Sequence, residues 1–369
     1  MPQETVLGEG ALSELPAVIG RSAAVSHVVV TGRQSYHNSG ASRRLEALLG
    51  KTPVFYIESE LPDLADFTRF RRRFAGESVG VIAIGGGHVI DTAKLISTDA
   101  TGPEEVERRL ADGIPFLRIR PLITIPTTAG SGSEATPFAV VYVGGVKHSI
   151  DHPTLKPDTA LVDPTLLLSL DGRQIALSGL DALAQSIEAL LSRRATSESD
   201  AYARVALSLA WPALPALQSG RRPAQFRTMA EAANLAGKAI AITRTTAPHA
   251  LSYYLTARFG VPHGQAIAFS MGHYLALFSE RMQNTPHDLE GWRNSLSYVL
   301  GVIGASSSRD IAGAWTDYVE SLGLESSPGQ FGIDPGDLQA IHHHINADRL
   351  ANSPMTMSVA EIDRLWGAP

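Results

Sequence analysis

Val79-Gly80-Val81-Ile82-Ala83-Ile84-Gly85-Gly86-Gly87-His88-Val89-Ile90-Asp91-Thr92-Ala93-Lys94-Leu95-Ile96 is the stretch whose reading decides the fold class. It opens on a short apolar run rich in β-branched residues, which leads straight into three glycines. From Val89 onward the apolar residues recur at helical spacing, so strand, tight turn and helix are predicted in succession. Glycines let a diphosphate approach the backbone. The N-terminus of the following helix then offers unpaired N–H groups and the positive end of its dipole. A phosphate-bearing cofactor is expected here.

Working outward, Val28-Val29-Val30, Val54-Phe55-Tyr56-Ile57 and Leu122-Ile123-Thr124-Ile125 are further short runs, separated by helical pattern. That alternation predicts a parallel sheet covered by helices. Beyond about Asp163-Pro164 such runs largely disappear. Alanine- and leucine-rich segments with helical spacing replace them, as from Ser199 to Leu217 and from Ala230 to Ile242. The expected organisation is an α/β N-terminal nucleotide-binding domain over residues 1–170 and an all-α C-terminal domain over 171–369. Ser219-Gly220-Arg221-Arg222-Pro223 and Ser326-Ser327-Pro328-Gly329 read as loops.

A second polar loop runs from Pro126 to Thr136 and contains Gly130-Ser131-Gly132. It begins like a dinucleotide fingerprint, but Ala135 holds the third glycine position. Pro137-Phe138-Ala139-Val140-Val141-Tyr142-Val143 reads as a strand or hairpin where that fingerprint needs a helix. An ordinary Rossmann site is rejected. The hydroxyl-rich loop, Ser131 included, is expected to close over the nucleotide or nicotinamide.

Composition narrows the classes. A chain of 369 residues, 44% hydrophobic, has room for two domains and a large core. Only 18% of residues are charged, which suits a compact enzyme better than a disordered or nucleic-acid-binding chain. The net charge of −6 provides no basic field for nucleic acid or anionic lipid, so a small anionic substrate needs local cations. The absence of cysteine excludes disulfides, thiolate ligands and a cysteine nucleophile. Met1-Pro2-Gln3-Glu4-Thr5 lacks the marks of a signal peptide, and no apolar run approaches the roughly 20 residues of a membrane span. A soluble cytoplasmic protein is expected.

The second half carries the candidate chemistry. Gly179-Leu180-Asp181-Ala182-Leu183-Ala184-Gln185 sets Asp181 and Gln185 on one helix face. His249 and His263 follow, in Ala247-Pro248-His249 and Val261-Pro262-His263-Gly264. One carboxylate and two imidazoles suit a three-ligand site for a divalent ion, with a position left for a substrate oxygen. Together with the upstream nucleotide turn, this points to redox chemistry on a carbonyl or alcohol. His342-His343-His344 reads as a polar helix face.

These motifs together resemble the iron-containing (group III) alcohol dehydrogenases, of dehydroquinate synthase-like fold. The resemblance runs from Gly8-Glu9-Gly10-Ala11-Leu12 to Asn352-Ser353-Pro354. It passes through Gly85 to Lys94, Pro126 to Thr136, Leu161-Val162-Asp163-Pro164, Gly179 to Glu188, and His249 to Gly264. It implies an NAD(P)-dependent, metal-assisted alcohol dehydrogenase or aldehyde reductase, and a homodimer, since family members commonly form dimers. By matching position, Gly86, Gly87, His88 and Asp91 would hold the diphosphate and nearby ribose, and Thr127, Thr128, Thr136 and Lys147 would contact the cofactor. Asp181, His249 and His263 would ligate the metal.

Two departures from the family pattern matter. Gln185 stands where a fourth ligand is usually histidine, and its neutral amide is a weaker donor, so Zn2+ becomes as credible as Fe2+. Tyr253 stands where another histidine is frequent, and with His263 it is the candidate for the catalytic proton route. NAD-preferring relatives often carry Asp where Gly32 stands. Gly32 removes the repulsion of a 2′-phosphate, and Arg33 and Ser35 offer donors to it, so NADPH is expected with NADH as the alternative.

A narrower resemblance, to the phosphonoacetaldehyde reductase branch, rests on four segments. They are Lys147 to Pro153, Thr243-Arg244-Thr245, Leu251 to Gly260, and Arg349-Leu350-Ala351-Asn352. It implies reduction of phosphonoacetaldehyde to 2-hydroxyethylphosphonate. A phosphonate dianion needs several donors, and Arg244 is the first candidate, followed by His148, His152 and Arg349. The rivals are reduction of phosphonopyruvate or other short aldehydes, a lyase like the sugar-phosphate cyclases, and a non-catalytic nucleotide-binding protein.

Overall fold

The protein is described by a computed structural model over residues 3–59, 61–144, 146–220, 222–284, 289–305 and 308–366. It divides into two units, Met1–Leu170 and Asp171–Pro369. The first carries strands β1 (Glu4–Leu7), β2 (Ser26–Gly32), β3 (Val54–Ile57), β4 (Val79–Gly85), β5 (Leu122–Pro126), β6 (Phe138–Val143), β7 (Val146–Asp151) and β8 (Thr159–Val162). Six of them form one sheet in the order β1-β8-β5-β4-β2-β3, every pair parallel, and β6 pairs with β7 as an antiparallel hairpin.

Helices α1 (Leu15–Gly20), α2 (Arg33–Asn38), α3 (Ala41–Leu49), α4 (Leu64–Arg73), α5 (Gly87–Ile96) and α6 (Pro103–Asp112) belong to the same unit. Alternation along the strands sorts its two cores. Val29, Ile82, Ile84 and Ile123 pack with Leu15, Tyr36 and Leu45 on one side. Val28, Val30, Val81 and Ala83 pack with Phe67, Phe70, Ile90 and Ala93 on the other. The central strands are buried on both faces, which is why β4 reads as an unbroken apolar run and β5 departs from one only at the buried Thr124. Asp163, just past β8, is a buried knot: it accepts from Leu12 N at 3.2 Å and from Arg44 Nη2 at 2.7 Å.

From β2 the chain moves outward to β3, and from β4 it moves the opposite way to β5, so the strand order reverses between β2 and β4. Open α/β sheets bind ligands outside the carboxyl ends of their strands at such a reversal. Gly32 ends β2 and Gly85 ends β4 there. One local reading shifts. α5 begins at Gly87, two residues ahead of Val89, because Gly86 takes the extended cap position. Arg33, Gln34 and Ser35 form the first turn of α2.

The second unit holds α7 (Gly172–Leu190), α8 (Ser197–Gly220), α9 (Pro223–Thr243), α10 (Ala247–Phe259), α11 (His263–Asn284), α12 (Arg293–Ile303) and α13 (Ser308–Ser321), then α14 (Pro335–Gln339), α15 (Ala347–Ala351) and α16 (Val359–Arg364). No strand occurs among its described residues. α7 starts at a capping box in which Gln174 N donates to Asp171 at 2.7 Å. From Gly179 to Leu190 every residue of α7 is buried, so this helix is buried all round and lies at the centre of the unit. Any polar side chain on that stretch is carried into the core.

The loop read at Ser219–Pro223 is shorter than expected: α8 continues to Gly220 and α9 starts at Pro223, while Arg221 lies outside the described residues. Ser327 caps a 3-10 turn, Pro328–Phe331. The histidine triplet sits on another, Ala340–His343, where His342 Nε2 bonds Asp363 at 2.8 Å and His344 stacks on Tyr254. Among the described residues, no helix is long and apolar enough to cross a membrane.

Candidate active site

In the first unit, Gly85-Gly86-Gly87 joins β4 to α5. A Cβ on Gly87 would stand 2.7 Å from Ser131 Oγ, so close approach of the second polar loop requires glycine there. Thr127 N donates to Gly85 O at 3.0 Å, which ties the start of that loop to the glycine turn. Thr128 and Ser131 line the same turn, where a Cβ on Gly86 would meet Thr128 at 3.3 Å. His88 follows in the first turn of α5, its pKa lowered by burial. Its buried Nε2 has no hydrogen-bond partner among the described residues, so it is able to face a ligand.

Asp91 and Thr136 are placed differently. Asp91 accepts from the Ser133 hydroxyl and from Val140 N at 3.0 Å, so it braces the loop and the hairpin. Thr136 is buried and accepts from Lys94 Nζ at 3.1 Å. Lys94 has no place among the candidates drawn from the sequence. It is fully buried, and its ammonium also donates to Ser133 Oγ at 3.0 Å and Phe138 O at 2.6 Å. Burial pulls its pKa down to about 8 against the pull of Asp91 and Glu134. Asp91 and Lys94 lie one helical turn apart and act together as the clamp that shapes the hydroxyl-rich loop. Lys147 lies on β7, opposite Tyr142.

At the end of β2, the Arg33 guanidinium lies 4.4 Å from the centre of the Tyr56 ring, a cation–π contact. Ser35 Oγ donates to Gly32 O at 3.1 Å. His148 is on β7, and His152 caps a 3-10 turn, with its Nδ1 2.8 Å from Thr154 Oγ1.

In the second unit, Asp181 on α7, His249 on α10 and His263 at the head of α11 bring their ligand atoms within 4.8 Å of one another. Three donors at that spacing, one anionic and two imidazole, fit a borderline divalent cation. Asp181 Oδ1 lies 3.2 Å from His249 Nε2. Burial works to raise the Asp181 pKa, yet the hydrogen bond from His249 and the charges of both histidines hold it below its ordinary value. Burial works to lower the pKa of His249, but the Glu188 charge and the Asp181 hydrogen bond outweigh it and push it up to about 9. Gln185 lies one turn beyond Asp181, and its Nε2 donates to Asp181 Oδ1 at 2.9 Å. In this arrangement the amide orients the carboxylate.

The corner between α9 and α10 adds cations. Arg349 Nη1 donates to Thr245 Oγ1 at 2.8 Å. The Tyr253 hydroxyl is hydrogen-bonded to Thr245, and burial raises its pKa. The Tyr253 ring stacks on His263 with centroids 6.0 Å apart, which connects this corner to the triad. Arg244 has φ 63° and ψ 176°, and among the described residues it is the one non-glycine with positive φ. That region is nearly reserved for glycine and costs about 1–3 kcal/mol. Arg244→Gly is therefore expected to be more stable than Arg244→Ala by about 1 kcal/mol in denaturant unfolding, since only glycine removes the strained Cβ. Equal stabilities would show that the backbone here is relaxed.

Besides Lys94, two contributors in the second unit are absent from the sequence-derived candidates. Glu188, seven residues after Asp181 on α7, is fully buried and bonds His249 Nδ1. Asn352 donates through Nδ2 to Thr243 O at 2.8 Å and Thr245 O at 3.0 Å, holding the corner from behind. The spacing of Asp181, Gln185 and Glu188 along one helical face was the available signal for the first.

Comparison with known proteins agrees with this picture. The iron-containing alcohol dehydrogenase family matches residues 2–164, and the C-terminal part of the Fe-containing alcohol dehydrogenase family matches residues 175–368. The phosphonoacetaldehyde reductase of Streptomyces viridochromogenes is 35% identical over 298 residues, which cover 74% of this chain and 73% of that protein. The crystal structure of an iron-containing alcohol dehydrogenase from Thermotoga maritima aligns with TM-score 0.81 and 26% identity over 100% of this chain and 99% of its own. The sulfoacetaldehyde reductase of Bifidobacterium kashiwanohense, solved in complex with NAD+, shares the fold with TM-score 0.86 at 24% identity, over 99% of this chain and 96% of its own. With both units matched and the triad assembled, the chain belongs to the iron-containing alcohol dehydrogenase family.

Proposed function

We propose that the protein reduces a small phosphonate-bearing aldehyde, phosphonoacetaldehyde to 2-hydroxyethylphosphonate, using NADPH and a divalent ion, Fe2+ or Zn2+. The observation that carries this reading is the polar corner beside the triad: Arg349, Thr245 and Tyr253 linked to His263, with Arg244 on the same segment. An uncharged aldehyde has no use for the Arg349 guanidinium there, whereas a dianion needs several charge-assisted donors. Similarity to the Streptomyces phosphonoacetaldehyde reductase supports the same substrate class. Arg349 is bonded within the corner and Arg244 stands one residue before Thr245, its guanidinium donating to Ala241 O, which makes these two the candidates for the anion. The NADPH preference rests on Gly32, which carries no acid to repel a 2′-phosphate, and on Arg33 next to it.

When bound, the divalent ion supplies Lewis-acid polarisation of the carbonyl and the dihydronicotinamide supplies hydride. The protein's own part is alignment and protons. Asp181, His249 and His263 would hold the ion, with Gln185 orienting the carboxylate. Burial keeps the Tyr253 hydroxyl protonated at neutral pH, so it is fit to give a proton to the oxygen as the carbon accepts hydride. The product is an alcohol, and water returns the proton to Tyr253.

Arg244→Ala is expected to raise KM for phosphonoacetaldehyde by about 10–100-fold, the loss of a charged hydrogen bond, and to change KM for propanal little. The assay is NADPH oxidation followed by absorbance, with phosphonopyruvate and propanal as comparison substrates. Equal losses on charged and uncharged aldehydes would remove Arg244 from an anion site.

A further inference from the structure

Glu188 is fully buried at the far end of the α7 face that carries Asp181 and Gln185. Its two oxygens face different neighbours. Oε1 accepts from Thr246 N at 2.8 Å, from Thr246 Oγ1 at 2.9 Å and from His249 N at 3.3 Å. Oε2 faces His249 Nδ1 in a short hydrogen bond. A carboxylate can only accept, so Nδ1 must carry the hydrogen in this pair. Nε2 lies 3.2 Å from Asp181 Oδ1 inside the triad, so both nitrogens donate while the ring is charged; when it is neutral, Glu188, the carboxylate that Thr246 pins, is the one placed to keep the hydrogen, which would leave Nε2 the lone pair.

The carboxylate is itself held from behind. Thr246 is the N-cap of α10, and the residues before it are pinned by Asn352 and by Ser192, whose Oγ donates to Thr243 O at 3.1 Å. Ala247 N donates to Ser353 Oγ at 3.2 Å. Ring direction is thus set by the fold rather than by whatever enters the triad.

We propose that Glu188 is a positioning residue: it holds His249 in the Nδ1–H tautomer and so presets Nε2 as a ligand atom. This rests on the reading that Asp181, His249 and His263 hold a divalent ion. Glu188→Gln tests it with almost no change of shape. Thr246 claims the amide oxygen as acceptor, so the amide nitrogen faces His249 Nδ1. The neutral ring then moves its hydrogen to Nε2 and closes the ligand atom.

Zn2+ affinity, measured by competition with a chromophoric chelator, is expected to fall about 10–100-fold in Glu188→Gln. In metal-free protein at a pH where the ring is neutral, 15N NMR of labelled histidine is expected to show the His249 hydrogen on Nδ1 in the wild type and on Nε2 in the variant. Thr246→Val, which removes one bond to Glu188 and keeps its charge, is expected to hold Zn2+ within a few-fold of the wild type. Wild-type affinity in Glu188→Gln, or an equal loss in Thr246→Val, would overturn the proposal. If Glu188→Gln does not fold, the wild-type spectrum decides, and an Nε2–H ring there overturns it. A wild type that binds no Zn2+ but shows the Nδ1–H ring would instead reject the metal reading and leave the ring's positioning intact.

Discussion

Gly264→Ala is expected to destabilise the protein by at least ~3 kcal/mol, or to prevent folding, although it adds a single methyl group. A Cβ on Gly264 would stand 2.0 Å from the backbone oxygen of Leu177 and 3.4 Å from Asp181 N. A side chain might swing aside, but these atoms belong to the backbone of a buried helix. α11 and α7 therefore meet backbone to backbone at this residue. The close approach has a chemical purpose, because the residue before Gly264 is His263, and Asp181 lies across the contact. Any variant that folds by spreading the two helices is expected to lose Zn2+ affinity as well. Gly313 is the control, since it lies on α13, is exposed, and has open space where its Cβ would point. Gly313→Ala is expected to be neutral or to stabilise by up to ~1 kcal/mol through helix propensity. Urea unfolding of the two variants side by side checks this. Similar midpoints would refute the tight helix contact.

Divalent-ion binding is expected to release about one proton near pH 7 and to tighten roughly tenfold per pH unit up to about pH 9, some 100-fold in all. The cause is His249, whose pKa is pushed up to about 9 by Glu188 and Asp181 against the effect of burial. In the metal-free protein the charged ring bridges two carboxylates. Its raised pKa stabilises the metal-free fold fully below the ring's ordinary value of 6.5, and that contribution is lost as pH rises through 9. A metal ion needs the Nε2 lone pair, so it must displace this proton. Below pH 9 ion and proton compete; above it they do not. Calorimetric titration of Zn2+ at pH 7 in two buffers of different ionisation enthalpy reads the proton count directly. Identical heats in both buffers would show that His249 is already neutral.

Much of the architecture was legible because it depends on local pattern. Strand, glycine turn and helix from Val79 to Ile96 follow from periodicity and from three residues without side chains. The parallel sheet follows from short β-branched runs that lack a regular alternation with polar residues. What stayed hidden depends on partners far apart in the chain. Asp91 reads as a cofactor residue by position, yet its oxygens are engaged by Ser133 and Val140 across more than 40 residues. Glu188 shares a helical face with Asp181 and Gln185, but that spacing does not name its partner His249, 61 residues on. The strain at Arg244 is invisible for another reason: backbone torsions at a helix end are set by what pins the corner, here Asn352 and Ser192.

That Asn352 latch bears on how the protein is made. The α9–α10 corner is composed of residues near position 245; Ser192 and Glu188 precede it, but Asn352 and Ser353, which complete its fastening, arrive more than 100 residues later. A ribosome will have released every ligand of the triad well before the clasp emerges. The triad is thus among the last parts of the molecule to be locked, and a chain cut just ahead of Asn352 would keep Asp181, His249 and His263 yet lose part of what aims them.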